Sequence, residues 1–261
     1  RPTHRYLDLD VGTDFDTQIV VKINIVERLR QELARKGDRV TGVNLGTNTD
    51  PYQRAEGRYR LMPGILETLA EHGKALSILT KGTLLQRDLP LLAEIDRRVP
   101  VGLAVSIAVH DDELRPSMEP HTPSTKARLA LVRAIRDHGF DCTVLLMPVL
   151  PYLTDDHDHL DVALRQLSEA GATEVHVGAL HLKPGVREWY CGWLERHRPD
   201  LLPRYRTLYG RGSYAPKAYR EQLAATVAPI RRRYRFDRPR GRRQLIVPET
   251  APAPEPQAAL F

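Results

Sequence analysis

The apolar positions of this chain fall into two alternating rhythms. Val40-Thr41-Gly42-Val43-Asn44-Leu45 is an alternating, apolar-rich run that predicts a strand over about 40–46. A helical spacing follows over about 62–72, with Met62, Ile65, Leu66 and Leu69 on one face and Gly73 at its end. The same unit then recurs. Strands are predicted at 75–80, 101–109, 142–150 and 173–182, and helices at about 88–96, 125–137 and 158–170. Upstream, residues 1–18 read as loop, 19–24 as a short β-like segment, and 26–36 as a helix that Gly37 ends.

The strands are near-continuous apolar runs, as expected when both faces are buried, and this points to a parallel sheet covered by helices. A repeat of about 30 residues predicts an α/β fold of the TIM-type partial barrel class, with a doubly wound sheet as the alternative. Five strands are too few for a closed eight-stranded barrel. After Leu182 the pattern changes. Residues 184–234 carry Trp189, Tyr190, Trp193, Tyr205, Tyr209, Tyr214 and Tyr219 among arginines, which predicts two or three helices at one end of the barrel. The expected organisation is a barrel over 1–183, a helical extension over 184–234, and a basic, then Pro-rich, disordered tail over 235–261.

At 261 residues and 41% hydrophobic, the chain can bury the core of one large or two small α/β domains. It has no run of eighteen apolar residues and no apolar stretch after Arg1-Pro2-Thr3-His4, so neither a membrane span nor a leader is expected, and the location expected is cytoplasmic. Cys142 lies in an apolar strand and reads as a small buried hydrophobe; a disulfide with Cys191 is not expected in that compartment. Charge changes the picture more. Residues 231–243 hold eight Arg and one Asp, a net +7 against +6 for the whole chain, so the basic character belongs to this segment. It can contact phosphates, with Tyr234 and Phe236 placed to stack on bases, or it is a solvated tail.

If the strands are parallel, their carboxyl ends bring together Thr49 and Asp50, Lys81, Ser106 with His110, Pro148 with Tyr152, and His181. That end is where such sheets bind ligands. Gly46-Thr47-Asn48-Thr49-Asp50-Pro51-Tyr52-Gln53, with Glu56 beyond, lets backbone and small polar groups approach a ligand, although a capped turn uses the same residues. Lys81, directly after an apolar strand and before Gly82, is placed to pair with a carboxylate or phosphate. Ser106 interrupts an apolar strand and needs a partner, for which a backbone carbonyl suffices. His181 reads rather as a core histidine. Asp155-Asp156-His157-Asp158-His159 has metal-ligand residue types but reads as a solvated helix cap.

These residues carry a resemblance. Thr3-His4, Leu7-Asp8, Ile19 to Lys22, Gly46 to Gln53 with Glu56, Ile78-Leu79-Thr80-Lys81-Gly82-Thr83, Met147 to Pro151 and His181 to Trp189 together resemble radical S-adenosylmethionine (SAM) proteins of the branch related to spore photoproduct lyase. The likeness runs over roughly residues 1–220. It implies a partial (βα)6 barrel and a [4Fe–4S] cluster, held by a Cys-x3-Cys-x2-Cys loop, that cleaves SAM reductively to a 5′-deoxyadenosyl radical. An external electron donor is implied with it. Residue by residue, Thr49 matches a hydroxyl near the methionine part of SAM, Lys81 a lysine that pairs with its carboxylate, and Ser106 a hydroxyl of the same pocket. Asn48 and Asp50 flank them as further cofactor-binding positions.

Two departures stand out. The chain has no cysteine triad, and in this branch the cluster loop ends in Cys-Phe-Ala-Arg-Pro-Thr-His where this chain begins Arg1-Pro2-Thr3-His4. The first barrel strand and the cluster ligands are therefore expected upstream of residue 1, and the fragment alone is expected to be inactive. Asn48 stands where the lyase has its hydrogen-donating cysteine, which argues against repair of a thymine photoproduct by that route. The expectation is a lyase-like radical SAM enzyme abstracting hydrogen from a substrate for which nucleic acid is one candidate. The alternatives are a non-catalytic nucleic-acid-binding α/β protein and a barrel enzyme acting on a phosphorylated small molecule.

Overall fold

A computed structural model describes residues 18–236. Thr3-His4, Leu7-Asp8 and the arginines from Arg238 onward lie outside the described residues. The elements run α1 (Ile25–Lys36), β1 (Gly42–Leu45), α2 (Arg54–Tyr59), α3 (Leu61–Glu71), β2 (Ala75–Thr80), α4 (Leu85–Ile95), β3 (Val101–Ser106), α5 (Arg115–Met118), α6 (Thr125–Asp137), β4 (Cys142–Val149), α7 (His157–Glu169), β5 (Glu174–Ala179), α8 (Val186–His197), α9 (Leu202–Tyr209) and α10 (Lys217–Arg233).

The five strands form one sheet in the order β1-β2-β3-β4-β5, and every pairing is parallel. A strand order that follows the chain order has no switch point, so the doubly wound alternative fails and the fold is a partial barrel. The strands are buried because they must be. Ile78, Val105, Cys142, Val144 and Val175 are completely enclosed, and Leu66, Leu69, Leu89, Leu92, Val132, Ile135, Leu164 and Leu167 pack on them from α3, α4, α6 and α7. Those helical residues sit at three- and four-residue spacings, which is the stripe the periodicity required.

Three expectations need correction. Residues 19–24 are not a strand: they are coil turning into α1, with Ile19, Val20 and Ile23 47, 58 and 71% exposed. β-branched residues favour strands only where a partner supplies the ladder, and the described residues offer this segment none. Strand β3 ends at Ser106 and β5 at Ala179, earlier than the apolar runs that contain them. Ile107, Ala108 and Val109, and likewise Leu180 and Leu182, stay buried outside the strands. Apolarity reports burial, not ladder membership.

The reason for their burial is a second cluster. Val109, Leu150, Leu180 and Leu182, all just past strand ends, pack with Tyr190, Trp193, Leu194, Leu201, Tyr205 and Tyr209 of the C-terminal helices. The Tyr205 hydroxyl donates to Pro151 O at 2.5 Å, and that of Tyr209 to Leu180 O at 2.7 Å. The aromatic helices are thus latched onto the carboxyl ends of β4 and β5. α10 instead runs beside β5 and α7, where Leu223, Val227 and Ile230 join the main core.

Candidate functional site

The parallel register delivers three loops to one edge of the sheet. β1 ends at Leu45, β2 at Thr80 and β3 at Ser106, and neighbouring strands bring these ends side by side. Two glycines permit the close approach. A Cβ on Gly46, whose φ is +99°, would lie 1.9 Å from Leu79 O, and one on Gly82 would lie 2.2 Å from Tyr52 O. Any side chain there would push the β1 and β2 loops apart.

Asp50 ties those loops together. Its Oδ1 accepts from Tyr52 N at 2.9 Å and from Thr80 Oγ1 at 2.5 Å, and its Oδ2 accepts from Lys81 N at 2.7 Å. Both carboxylate oxygens are used within the protein, so Asp50 sets the backbone position of Lys81. Glu56 is likewise structural. It is 5% exposed, accepts from Leu61 N and Met62 N at the start of α3, and pairs with Arg87 at 2.6 Å. The first orphan N–H groups of α3 are satisfied this way.

Lys81 reaches across to a residue that sequence reasoning missed. Its Nζ pairs with Glu119 Oε1, while Glu119 Oε2 meets Arg128 Nη1 at 3.3 Å. Arg128 lies on α6, is wholly enclosed, and donates from Nη1 to Ser106 O at 3.0 Å. Its Nε and Nη2 are buried without a hydrogen-bond partner among the described residues. Burial pulls Arg128 below the ordinary arginine range, and Glu119 opposes that pull. A Lys–Glu–Arg chain therefore underlies the carboxyl ends of β2 and β3. Glu119 gave no signal within its loop. Arg128 did: it shares the apolar face of α6 with Val132 and Ile135, where a charge needs a buried partner.

Thr47, Asn48 and Thr49 are exposed at this edge, and Ser106, at 8% exposure, is nearly closed off. The remaining predicted positions do not join them. His110 turns toward α7, its Nε2 3.0 Å from Gln166 Oε1, and lines a separate recess of about 380 Å³ with Asp112, Lys126 and Arg133. Tyr152 belongs to the aromatic cluster, edge-on to Tyr205 with the Arg204 guanidinium 3.8 Å above its ring. Pro148 lies within β4. His181 is exposed and bridges Tyr214, so it is not a core histidine; the flanking chain past β5 leaves the sheet before its side chain is enclosed. In the acidic–histidine segment, Asp156 caps α7 by accepting from His159 N at 2.9 Å.

The basic segment is also corrected in part. Arg231–Arg233 finish α10, and Phe236 is 4% exposed in the main core, so it cannot stack on a base. Tyr234 donates to Asp161 at 3.0 Å, and Arg233 pairs with the same carboxylate at 2.8 Å. An apolar ring next to a packed sheet is worth more buried than exposed. No helix among the described residues is long and apolar enough to cross a membrane.

A sequential, open parallel sheet with an ammonium and small polar groups at its carboxyl edge defines an α/β protein of the partial-barrel class. The family model described as the radical SAM superfamily matches residues 12–163, and the chain belongs to that superfamily. It is 56% identical over 262 aligned residues to uncharacterized proteins of Mycobacterium bovis and Mycobacterium tuberculosis, covering 100% of this chain and 76% of each relative. It is 30% identical over 142 residues to an uncharacterized protein of Acidianus two-tailed virus, covering 53% of this chain and 46% of the viral one. Among solved structures, a double mutant of spore photoproduct lyase with bound AdoMet and dinucleoside spore photoproduct superimposes with a TM-score of 0.59 at 14% identity. That match covers 85% of this chain and 68% of the lyase, and it shows a shared fold.

Proposed function

We propose that this chain is the SAM-binding barrel of a radical SAM enzyme that abstracts hydrogen from its substrate. One observation carries the reading: Lys81, at the carboxyl end of β2 and inside the family match, already holds a carboxylate, that of Glu119. The methionine end of SAM presents the same chemical group. On this reading SAM's carboxylate takes the place of Glu119 on Lys81, and Glu119 remains paired with Arg128. Thr49, Asn48 and Ser106 supply hydroxyl and amide groups for the rest of the methionine moiety, while Asp50 holds the Lys81 backbone in place.

A [4Fe–4S] cluster of the superfamily's kind would supply the electron for reductive cleavage of SAM. The residues of this chain do not fit that cluster. It has two cysteines; Cys142 is enclosed in β4, with burial pushing its thiol up to about 12, and Cys191 packs against the aromatic cluster. Three thiolate ligands must come from outside these residues, as must an electron donor. Both cysteines are free. Nucleic acid is the substrate class favoured, because the solved neighbours include complexes with a dinucleoside photoproduct and because Arg220 and Arg232 of α10 are exposed and make no ion pair among the described residues.

The test uses a longer form of the protein that supplies a cysteine triad, reconstituted without oxygen. Wild type is expected to bind SAM by calorimetry and to release 5′-deoxyadenosine on reduction. Lys81→Ala is expected to weaken SAM binding by about tenfold or more, since a charge-assisted hydrogen bond contributes roughly 1.5–3 kcal/mol. SAM affinity unchanged by Lys81→Ala, or no 5′-deoxyadenosine from a cluster-loaded wild type, overturns the reading.

A further inference from the structure

Among the described residues, β5 is the last strand of the sheet and α10 packs only partly against it. Between them lies a groove of about 600 Å³. Leu223 and Val227 on α10 are buried against the sheet, but Ala224 and Ala228 beside them are too short to fill the gap to Val177 and Ala179. The result is a trough with an apolar floor. Its rim is cationic: Arg220, Arg231 and Arg232 all line it, together with His181.

These arginines are not neutralised from within. Of the nearby carboxylates, Glu221 on α10 lies 3.5 Å from Lys217, and Asp161 on α7 lies 2.8 Å from Arg233. Arg220 and Arg232 are exposed, and neither makes an ion pair among the described residues. The Nε of Arg231 is buried there without a partner, and its Nη2 has only Phe236 O at 3.5 Å. Nearby Lys183 adds to the field. Partial burial, then Lys183 and Arg220, hold the His181 imidazole below its ordinary value.

The spacing of the charges selects the ligand. Arg220 and Arg231 are eleven residues apart on one helix, about 16 Å at 1.5 Å per residue. Positions 220, 224, 227, 228 and 231 share one face, so the charges stand at the two ends of one trough. A single phosphate cannot meet both ends of that trough, whereas a nucleic-acid strand lays successive phosphates along it.

We propose that the groove between β5 and α10 binds the phosphodiester backbone of a nucleic-acid strand. The arginine rim takes the phosphates, and the apolar floor takes the sugar edges. This deepens the reading of nucleic acid as the substrate class, on which it rests for what is done to the bound strand.

The test is fluorescence anisotropy of a labelled twelve-nucleotide single strand on the full chain, over a salt series. Arg220→Glu is expected to weaken binding by about tenfold and to lower the salt slope by about 0.7, the value per phosphate contact for single strands. Ala224→Trp fills the trough without changing charge and is expected to weaken binding to a similar degree. Arg211→Glu, an exposed arginine outside the groove, controls for net charge and is expected to do much less. If Arg220→Glu matches Arg211→Glu, or if Ala224→Trp leaves affinity intact in a variant of unchanged melting temperature, the groove is not the site. If polyglutamate or phosphatidylglycerol vesicles compete as well per charge as the oligonucleotide, the ligand is not nucleic acid. SAM calorimetry on Arg220→Glu, expected to match wild type, separates this outcome from a failure at Lys81.

Discussion

Arg128 is a charge cut off from water, and Glu119 is the carboxylate that compensates it. Removing one partner of a buried pair leaves the other uncompensated. Glu119→Ala is therefore expected to lower stability by about 3 kcal/mol in urea unfolding. The double variant Glu119→Gln, Arg128→Met is expected to lose less, because no lone charge is left inside. Cys142 gives a prediction with a sign. Burial raises its thiol from 9.0 to about 12, so between those values the folded chain keeps a proton that the unfolded chain has released. Stability is then expected to fall as pH rises through that window, and the fall to be shallower in Cys142→Ala. Urea midpoints from pH 8 to 11 measure both slopes.

Elements were legible where one physical signal decided them. The helices α1, α3, α6 and α7 follow their apolar stripes to within a residue or so, and α6 has a cap to match: Ser124 Oγ accepts from Ala127 N at 3.2 Å. Ser124→Ala is expected to cost about 1 kcal/mol, read as a shift in the urea midpoint at constant slope. Strand ends and the segment at 19–24 were not legible, because an apolar run looks the same in a ladder, in a buried loop, or uncovered. The glycines of the two site loops show the same limit. Gly46 reads as a turn residue in sequence, yet its reason is the Leu79 carbonyl, a contact between loops 33 positions apart. Gly46→Ala is expected to displace the β1 loop and to cost at least about 2 kcal/mol, since strain at positive φ adds to the clash.

At the scale of the whole molecule, the C-terminal segment closes the main core. α10 returns from the aromatic cluster to lie along β5 and α7, and Phe236 pins its end. Phe236→Ala is expected to destabilise by about 3 kcal/mol, the usual cost of deleting a buried ring. A lowering of less than about 1 kcal/mol in urea unfolding would mean that the end of α10 is not part of the core. The same return leg creates the arginine-rimmed groove, and Arg231 to Phe236, the start of the basic segment that reads in sequence as phosphate-binding or as a solvated tail, belong to the folded body.

The sequence by itself determined the parallel α/β class, the carboxyl-edge loops, and Lys81 with its small polar neighbours. These rest on local periodicity and on the rule that parallel strands end on one side. Only the tertiary structure decided that Asp50 and Glu56 act on backbone, that Glu119 and Arg128 stand behind Lys81, and that His110 and His181 turn away from it. Each of those outcomes is a contact between residues far apart in the chain. The partner of a charge is chosen by packing, which no local pattern records.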